Sequence, residues 1–139
     1  MAPPGYYLDK SSGKPCPRGT YTTANNRQAV CSACSAGVTT AVTASTNPSD
    51  CALAKPGYYL TGATTAAKCA KNFYQPQIST TTTCTPCAAN MVTVKAGSAT
   101  RTACVAPAGY EYKNDTVGAT ACIAGYFKTG NNRRACVAW

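Results

Sequence analysis

Histidine is missing from this 139-residue chain, and acids are few: Asp9, Asp50, Glu111 and Asp115. Without an imidazole there is no ordinary base for a Ser or Cys nucleophile, so triad-type hydrolysis is excluded by inventory. Only Glu111 and Asp115 are close in sequence, which leaves little material for a paired-carboxylate mechanism. Large apolar side chains are scarce as well, with two Phe, one Trp, two Met and no run of Leu or Ile. A chain of this kind cannot bury a broad common core, and small modules with the same deficit rely on crosslinks. No apolar stretch is long enough to span a membrane. A glycine-rich phosphate loop and helical periodicity are both absent. Met1-Ala2-Pro3-Pro4-Gly5 has no apolar core of the export-signal kind, so the chain is expected to be a processed or excerpted piece of an exported protein. Together these absences predict a non-enzymatic protein with no cofactor and no metal.

Cysteine, in contrast, is plentiful and evenly phased. Cys16, Cys31, Cys34 and Cys51 recur 53 residues later as Cys69, Cys84, Cys87 and Cys104. Cys122 lies another 53 residues on and Cys136 almost keeps step, so all ten cysteines belong to one tandem repeat. The units are 1–51, 52–104 and a partial third, 105–139. Cysteine at this density points to an oxidising compartment, extracellular or at the cell surface. The truncated third unit decides the pairing. It keeps only the first and second cysteines, with Trp139 aligned on the third, and only first-with-second pairing leaves it no orphan thiol. The predicted bridges are therefore Cys16–Cys31, Cys34–Cys51, Cys69–Cys84, Cys87–Cys104 and Cys122–Cys136. Loops of about 15 residues are each worth roughly 3 kcal/mol on the chain-entropy account.

Phrases between the cysteines repeat too. Pro4-Gly5-Tyr6-Tyr7-Leu8 returns as Pro56-Gly57-Tyr58-Tyr59-Leu60 and, altered, as Ala108-Gly109-Tyr110-Glu111-Tyr112. Gly19, Asn72 and Gly125 follow the first cysteine of each unit, and Gly37 and Asn90 follow the third. Gly and Asn share a tolerance for positive φ, so a turn is expected at each of these points. Thr, Val and Tyr suit short extended segments. The predicted fold is a small disulfide-rich one: an elongated tandem array of short β-hairpin modules with little core and no significant helix.

Other chemistry-bearing features have simpler readings. Cys31-Ser32-Ala33-Cys34 and Cys84-Thr85-Pro86-Cys87 have the CxxC form, but a redox site needs an α/β frame and a zinc site needs a second knuckle. Thirteen Lys and Arg against four acids give a net charge of +9, spread along the chain without a nucleic-acid-binding motif. For Tyr6, Tyr7, Tyr58 and Tyr59 the simpler reading than a sugar-stacking surface is that one tyrosine of each pair covers a disulfide and the other lies on the flank. One N-glycosylation sequon occurs, Asn114-Asp115-Thr116, and a glycan is expected at Asn114, whereas Pro48 blocks Asn47-Pro48-Ser49. Thr- and Ser-rich stretches such as Thr80 to Thr83 have the composition that can accept O-linked sugars.

The phrases Cys16-Pro17-Arg18-Gly19-Thr20-Tyr21 and Cys31-Ser32-Ala33-Cys34-Ser35-Ala36-Gly37 resemble the cysteine-rich repeats of ephrin-receptor-like and tumour-necrosis-factor-receptor-like modules. Cys69 to Tyr74, Cys84 to Cys87 and Ala89-Asn90 are similar to the tandem phrases of ciliate immobilisation-type surface antigens. These resemblances imply an exposed, non-enzymatic coat or filament protein. The expected function is thus an extracellular structural repeat protein that assembles end to end with copies of itself. Val137 and Trp139 of one copy are expected to meet Tyr6 and Tyr7 of the next. The alternatives are a ligand-binding receptor ectodomain module and a basic polyanion-binding protein.

Overall fold

The computed structural model describes all 139 residues. Fourteen strands form seven two-stranded antiparallel hairpins. In chain order β1 (Tyr6–Asp9) pairs with β2 (Ser12–Pro15), and β3 (Thr20–Tyr21) with β4 (Ser32–Ala33). β5 (Val38–Thr39) pairs with β6 (Leu53–Ala54), and β7 (Tyr58–Leu60) with β8 (Ala66–Lys68). β9 (Phe73–Tyr74) pairs with β10 (Thr85–Pro86), β11 (Tyr110–Asn114) with β12 (Gly118–Ala121), and β13 (Tyr126–Phe127) with β14 (Val137–Ala138). The only helical turns are three-residue 3-10 turns at Pro48–Asp50 and Arg101–Ala103, each just before the fourth cysteine of its repeat. No helix is long and apolar enough to cross a membrane.

Every repeat opens with the same local bonds. The N–H groups of Cys16, Cys69 and Cys122 donate to the carbonyls of Gly5, Gly57 and Gly109, closing the first hairpin of each unit. These closing pairs are 11, 12 and 13 residues apart, so the hairpin grows by one residue per repeat while its base stays constant. That growth explains why the Gly-Tyr phrases recur every 52 residues and the cysteines every 53. The expected turns are present: φ is +84°, +85° and +84° at Gly5, Gly57 and Gly109, and also positive at Gly19, Asn72, Gly125, Gly37 and Asn90. A Cβ at Gly57 would lie 2.4 Å from the Gly97 carbonyl oxygen, so both φ and space require glycine there.

Five disulfides join Cys16–Cys31, Cys34–Cys51, Cys69–Cys84, Cys87–Cys104 and Cys122–Cys136, with no free thiol. These are the pairs expected from the cysteine pattern of the repeats. Each CxxC therefore sends its two sulfurs to different partners.

The chain packs as two compact units, Met1–Lys55 with Tyr59–Ala67 and Ile78–Thr82, and Pro56–Tyr58 with Lys68–Gln77 and Thr83–Trp139. Packing therefore divides the chain differently from the cysteine count. Ile78–Thr82 belongs to the first unit because Ala54 and Ser79 exchange N–H···O=C bonds of 2.8 and 3.1 Å, and Leu60 N–H donates to Thr81 C=O. The first unit buries Ala2, Cys16, Val38, Thr40, Cys51 and Ala54. The second has a small cluster of Met91, Cys104, Ala106 and Ala119, covered by Tyr74, Tyr110 and Tyr112. Its buried apolar material is thus mostly sulfur, methyl groups and tyrosine faces.

Candidate interaction surface

The four acids are all engaged with near neighbours. Asp9 pairs with Lys14 at 2.7 Å, and Asp50 accepts from the Thr46 N–H at 3.3 Å. Glu111 pairs with Lys113 and accepts from the Cys136 N–H at 3.2 Å; these contacts, the Lys113 one foremost, hold its carboxyl below the usual carboxylate range. Asp115 pairs with Arg133 at 3.0 Å and Arg101 at 3.4 Å. Glu111 and Asp115 share a hairpin yet serve different cations, so they do not form an acid–base pair. His, Cys, Asp and Glu side chains nowhere gather in threes with metal-ligating geometry. Hence the acids contribute internal fastening, and the cations dominate the outer charge.

Arg133 is the most connected of these cations. Its Nε donates to Cys104 C=O at 3.0 Å, and one terminal nitrogen reaches Arg101 C=O at 2.9 Å and the Asp115 carboxylate. The guanidinium also lies 4.5 Å from the centroid of the Tyr112 ring. It therefore ties the end of the second repeat to the first hairpin of the third. The planar fork of Arg serves several acceptors at once, which Lys cannot match.

A second inward-facing position takes a different residue in each repeat: Thr22, Gln75 and Lys128 are all buried. Their backbone carbonyls receive the N–H groups of Gly5, Gly57 and Gly109 respectively. The Thr22 hydroxyl donates to Tyr6 C=O and the Gln75 amide to Tyr58 C=O. Lys128 instead turns its ammonium onto Ala106 C=O (2.9 Å), Gly130 C=O (2.7 Å) and Asn132 Oδ1 (3.2 Å). No carboxylate is among these partners, and burial lowers the Lys128 pKa. The ammonium is hydrogen-bonded, so the arrangement is a structural plug. Sequence reasoning passed over Lys128 and Arg133. For Lys128 the usable signal was alignment with Thr22 and Gln75; for Arg133, whose counterparts are Arg27 and Thr80, there was none.

The residues expected to mediate assembly lie at the two ends of the chain. Tyr6 and Tyr7 are half-buried on β1, opposite Pro15 and Lys14. Val137 lies on β14 and is exposed. Trp139 is 87% exposed, and its ring leans on Phe127 with centroids 4.5 Å apart. Its N–H donates to Gly125 C=O, as those of Cys34 and Cys87 donate to Gly19 and Asn72, so Trp139 occupies the third-cysteine position of the repeat. Exposed Ile123 and Tyr126 add to the apolar surface of this last hairpin. Asn114 ends β11 and is exposed to solvent.

Comparison with known families gives a match to the family described as tyrosine-protein kinase ephrin type A/B receptor-like, over residues 5–51 and again over 57–104. The two matched stretches are the two complete repeats. Searches among curated proteins and among solved structures gave no match.

Proposed function

Because the chain belongs to the ephrin type A/B receptor-like family of cysteine-rich modules, we propose that it is an extracellular structural repeat protein without catalytic activity, serving as a coat element or a filament subunit. One observation carries this reading: successive repeats are built by the same local bonds, each with its sulfurs closed between near neighbours. Stapling of that kind yields a surface that survives dilution and proteolysis without needing a large core. Export supplies the oxidising conditions the bridges require.

Assembly is head to tail in this proposal. Val137 and Trp139 of one copy meet Tyr6 and Tyr7 of the next, and a heterologous contact propagates into a fibre unless it closes. The large exposed surface of Trp139 supports this choice of contact, since Trp is the side chain most often found to anchor interfaces. Electron microscopy and sedimentation of the oxidised protein provide the test. Fibres are expected from the parent and only monomers from Trp139→Ala, with all five bridges intact in both. Unchanged fibres in the variant would remove the proposed contact.

The family match itself favours a second reading, a ligand-binding ectodomain module. Crosslinking on the surface of the source cells separates the two. Recovery of copies of this chain supports assembly, and recovery of one different protein supports the receptor module.

A further inference from the structure

The hairpin of β11 and β12 carries the single sequon, and we infer that Asn114 is an N-linked glycan acceptor whose modified form the fold accommodates. Asn114, Thr116 and Val117 are all exposed. The Asn114 side chain is held by its oxygen alone: Oδ1 accepts from the N–H groups of Thr116 (2.9 Å) and Val117 (2.7 Å). That leaves Nδ2, the atom that becomes glycosylated, uncommitted. Three of the other seven asparagines spend the same atom on the fold. Nδ2 of Asn26 donates to Tyr6 C=O and Ala24 C=O, that of Asn90 to Ala119 C=O, and that of Asn132 to Thr129 C=O.

The blocked sequon makes a useful contrast. Asn47 caps a 3-10 turn, with its Oδ1 taking both the N–H and the hydroxyl of Ser49, and Pro48 lies between them. There the hydroxyl needed for recognition is already bound. Thr116 is exposed at the third hairpin's tip. This hairpin is also the longest of the three first hairpins and shifts register between Tyr112 and Asn114, where its extra length is taken up. Asp115, the middle residue, is anchored by Arg101 and Arg133. The turn is therefore fixed through Asp115 while Asn114 faces outward.

The transfer itself balances simply. Nδ2 forms a bond to the anomeric carbon of a polyprenyl-pyrophosphate-linked oligosaccharide and loses a proton. The bond from that carbon to the pyrophosphate breaks, and the lipid pyrophosphate leaves with the electron pair. No oxidant or reductant is involved. The inference rests on the extracellular reading above, because donor and acceptor meet only on the export route.

Two measurements on protein from its source cells test it: surface labelling of intact cells, and peptide mapping after amidase release, which converts a glycosylated Asn to Asp. Surface-labelled protein with Asp at position 114 after release is the expected result. Surface-labelled protein with unmodified Asn114 overturns the glycan assignment and leaves the extracellular reading standing. Protein confined to the cytosol overturns both. In a secreting host, Asn114→Gln and Thr116→Ala should each lose the whole glycan mass, and Thr116→Ser should retain it. All three should keep the parent disulfide map, since Asn114 and Thr116 are exposed; a glycan persisting in Asn114→Gln would also overturn the assignment.

Discussion

Arg133 and Lys128 show how much of this fold rests on single cations. Arg133 meets two carbonyls, one carboxylate and one aromatic face. Arg133→Ala is expected to lower stability by about 2 kcal/mol, the scale of a partly buried charged hydrogen bond with a cation–π contact. Urea unfolding of the oxidised protein measures it, and Arg133→Lys should recover only a part because the fork is lost. Lys128 behaves in the opposite sense. Burial lowers its pKa from the ordinary 10.5, so in the alkaline range the folded chain gives up this proton before the unfolded chain does. Stability should accordingly rise with pH between the depressed folded value and 10.5, while below that window the cost of burying the ammonium is constant. Lys128→Gln, which installs the residue found at the equivalent position 75, should remove that slope and not lower the denaturation midpoint at neutral pH. A fall at neutral pH would mean that the three ammonium hydrogen bonds outweigh desolvation.

At the scale of the element, the repeated hairpin entry makes a controlled comparison. Gly57 and Gly109 have nearly the same φ, yet an added Cβ meets the Gly97 carbonyl oxygen at the first and nothing within 4 Å at the second. Gly109→Ala should therefore cost only the left-handed backbone penalty, about 1–2 kcal/mol. Gly57→Ala should cost distinctly more, because a backbone carbonyl cannot rotate aside. Thermal melts of the two variants decide this, and equal shifts would mean that the Gly97 turn gives way. The disulfides invite a similar comparison. Cys16 and Cys69 are completely buried, whereas their counterpart Cys122 is half-buried, as is its partner Cys136. Limited reduction followed by alkylation should label Cys122 and Cys136 before any other pair. Earlier labelling of Cys16 or Cys69 would show that local opening, and not static burial, sets the order.

Over the whole molecule, the buried residues are mostly small or polar: Ala2, Ala54, Ala106, Ala119, Thr22, Thr40 and Thr93 stand beside the cysteines, with Val38 and Met91 the larger apolar exceptions. Such a core holds little hydrophobic free energy, so crosslinks worth roughly 3 kcal/mol each are expected to decide folding. Complete reduction without denaturant should collapse amide proton dispersion, and reoxidation should restore the five local pairs. A reduced chain that kept its dispersion would show the core to be sufficient. Surface charge belongs to this scale as well. With each acid already engaged by a neighbour, the net charge of +9 leaves cations in excess, which favours solubility.

Much of this protein was legible from residue spacing. The period of the cysteines, with Cys122 and Cys136 in the third unit, led to the bridges, because a disulfide closed over a short loop is a local object. The turns at Gly5, Asn72 and Asn90 followed for the same reason, since backbone sterics act within a few residues. What only the tertiary structure decided are contacts between residues remote in sequence. Among them are Arg133 on Cys104 and Tyr112, Lys128 on Ala106, and Ile78–Thr82 joined to Ala54 and Leu60. Spacing carries no record of these, because a hydrogen bond across some 20 to 30 residues depends on where two hairpins come to rest. That placement is settled by packing, once the local loops have closed.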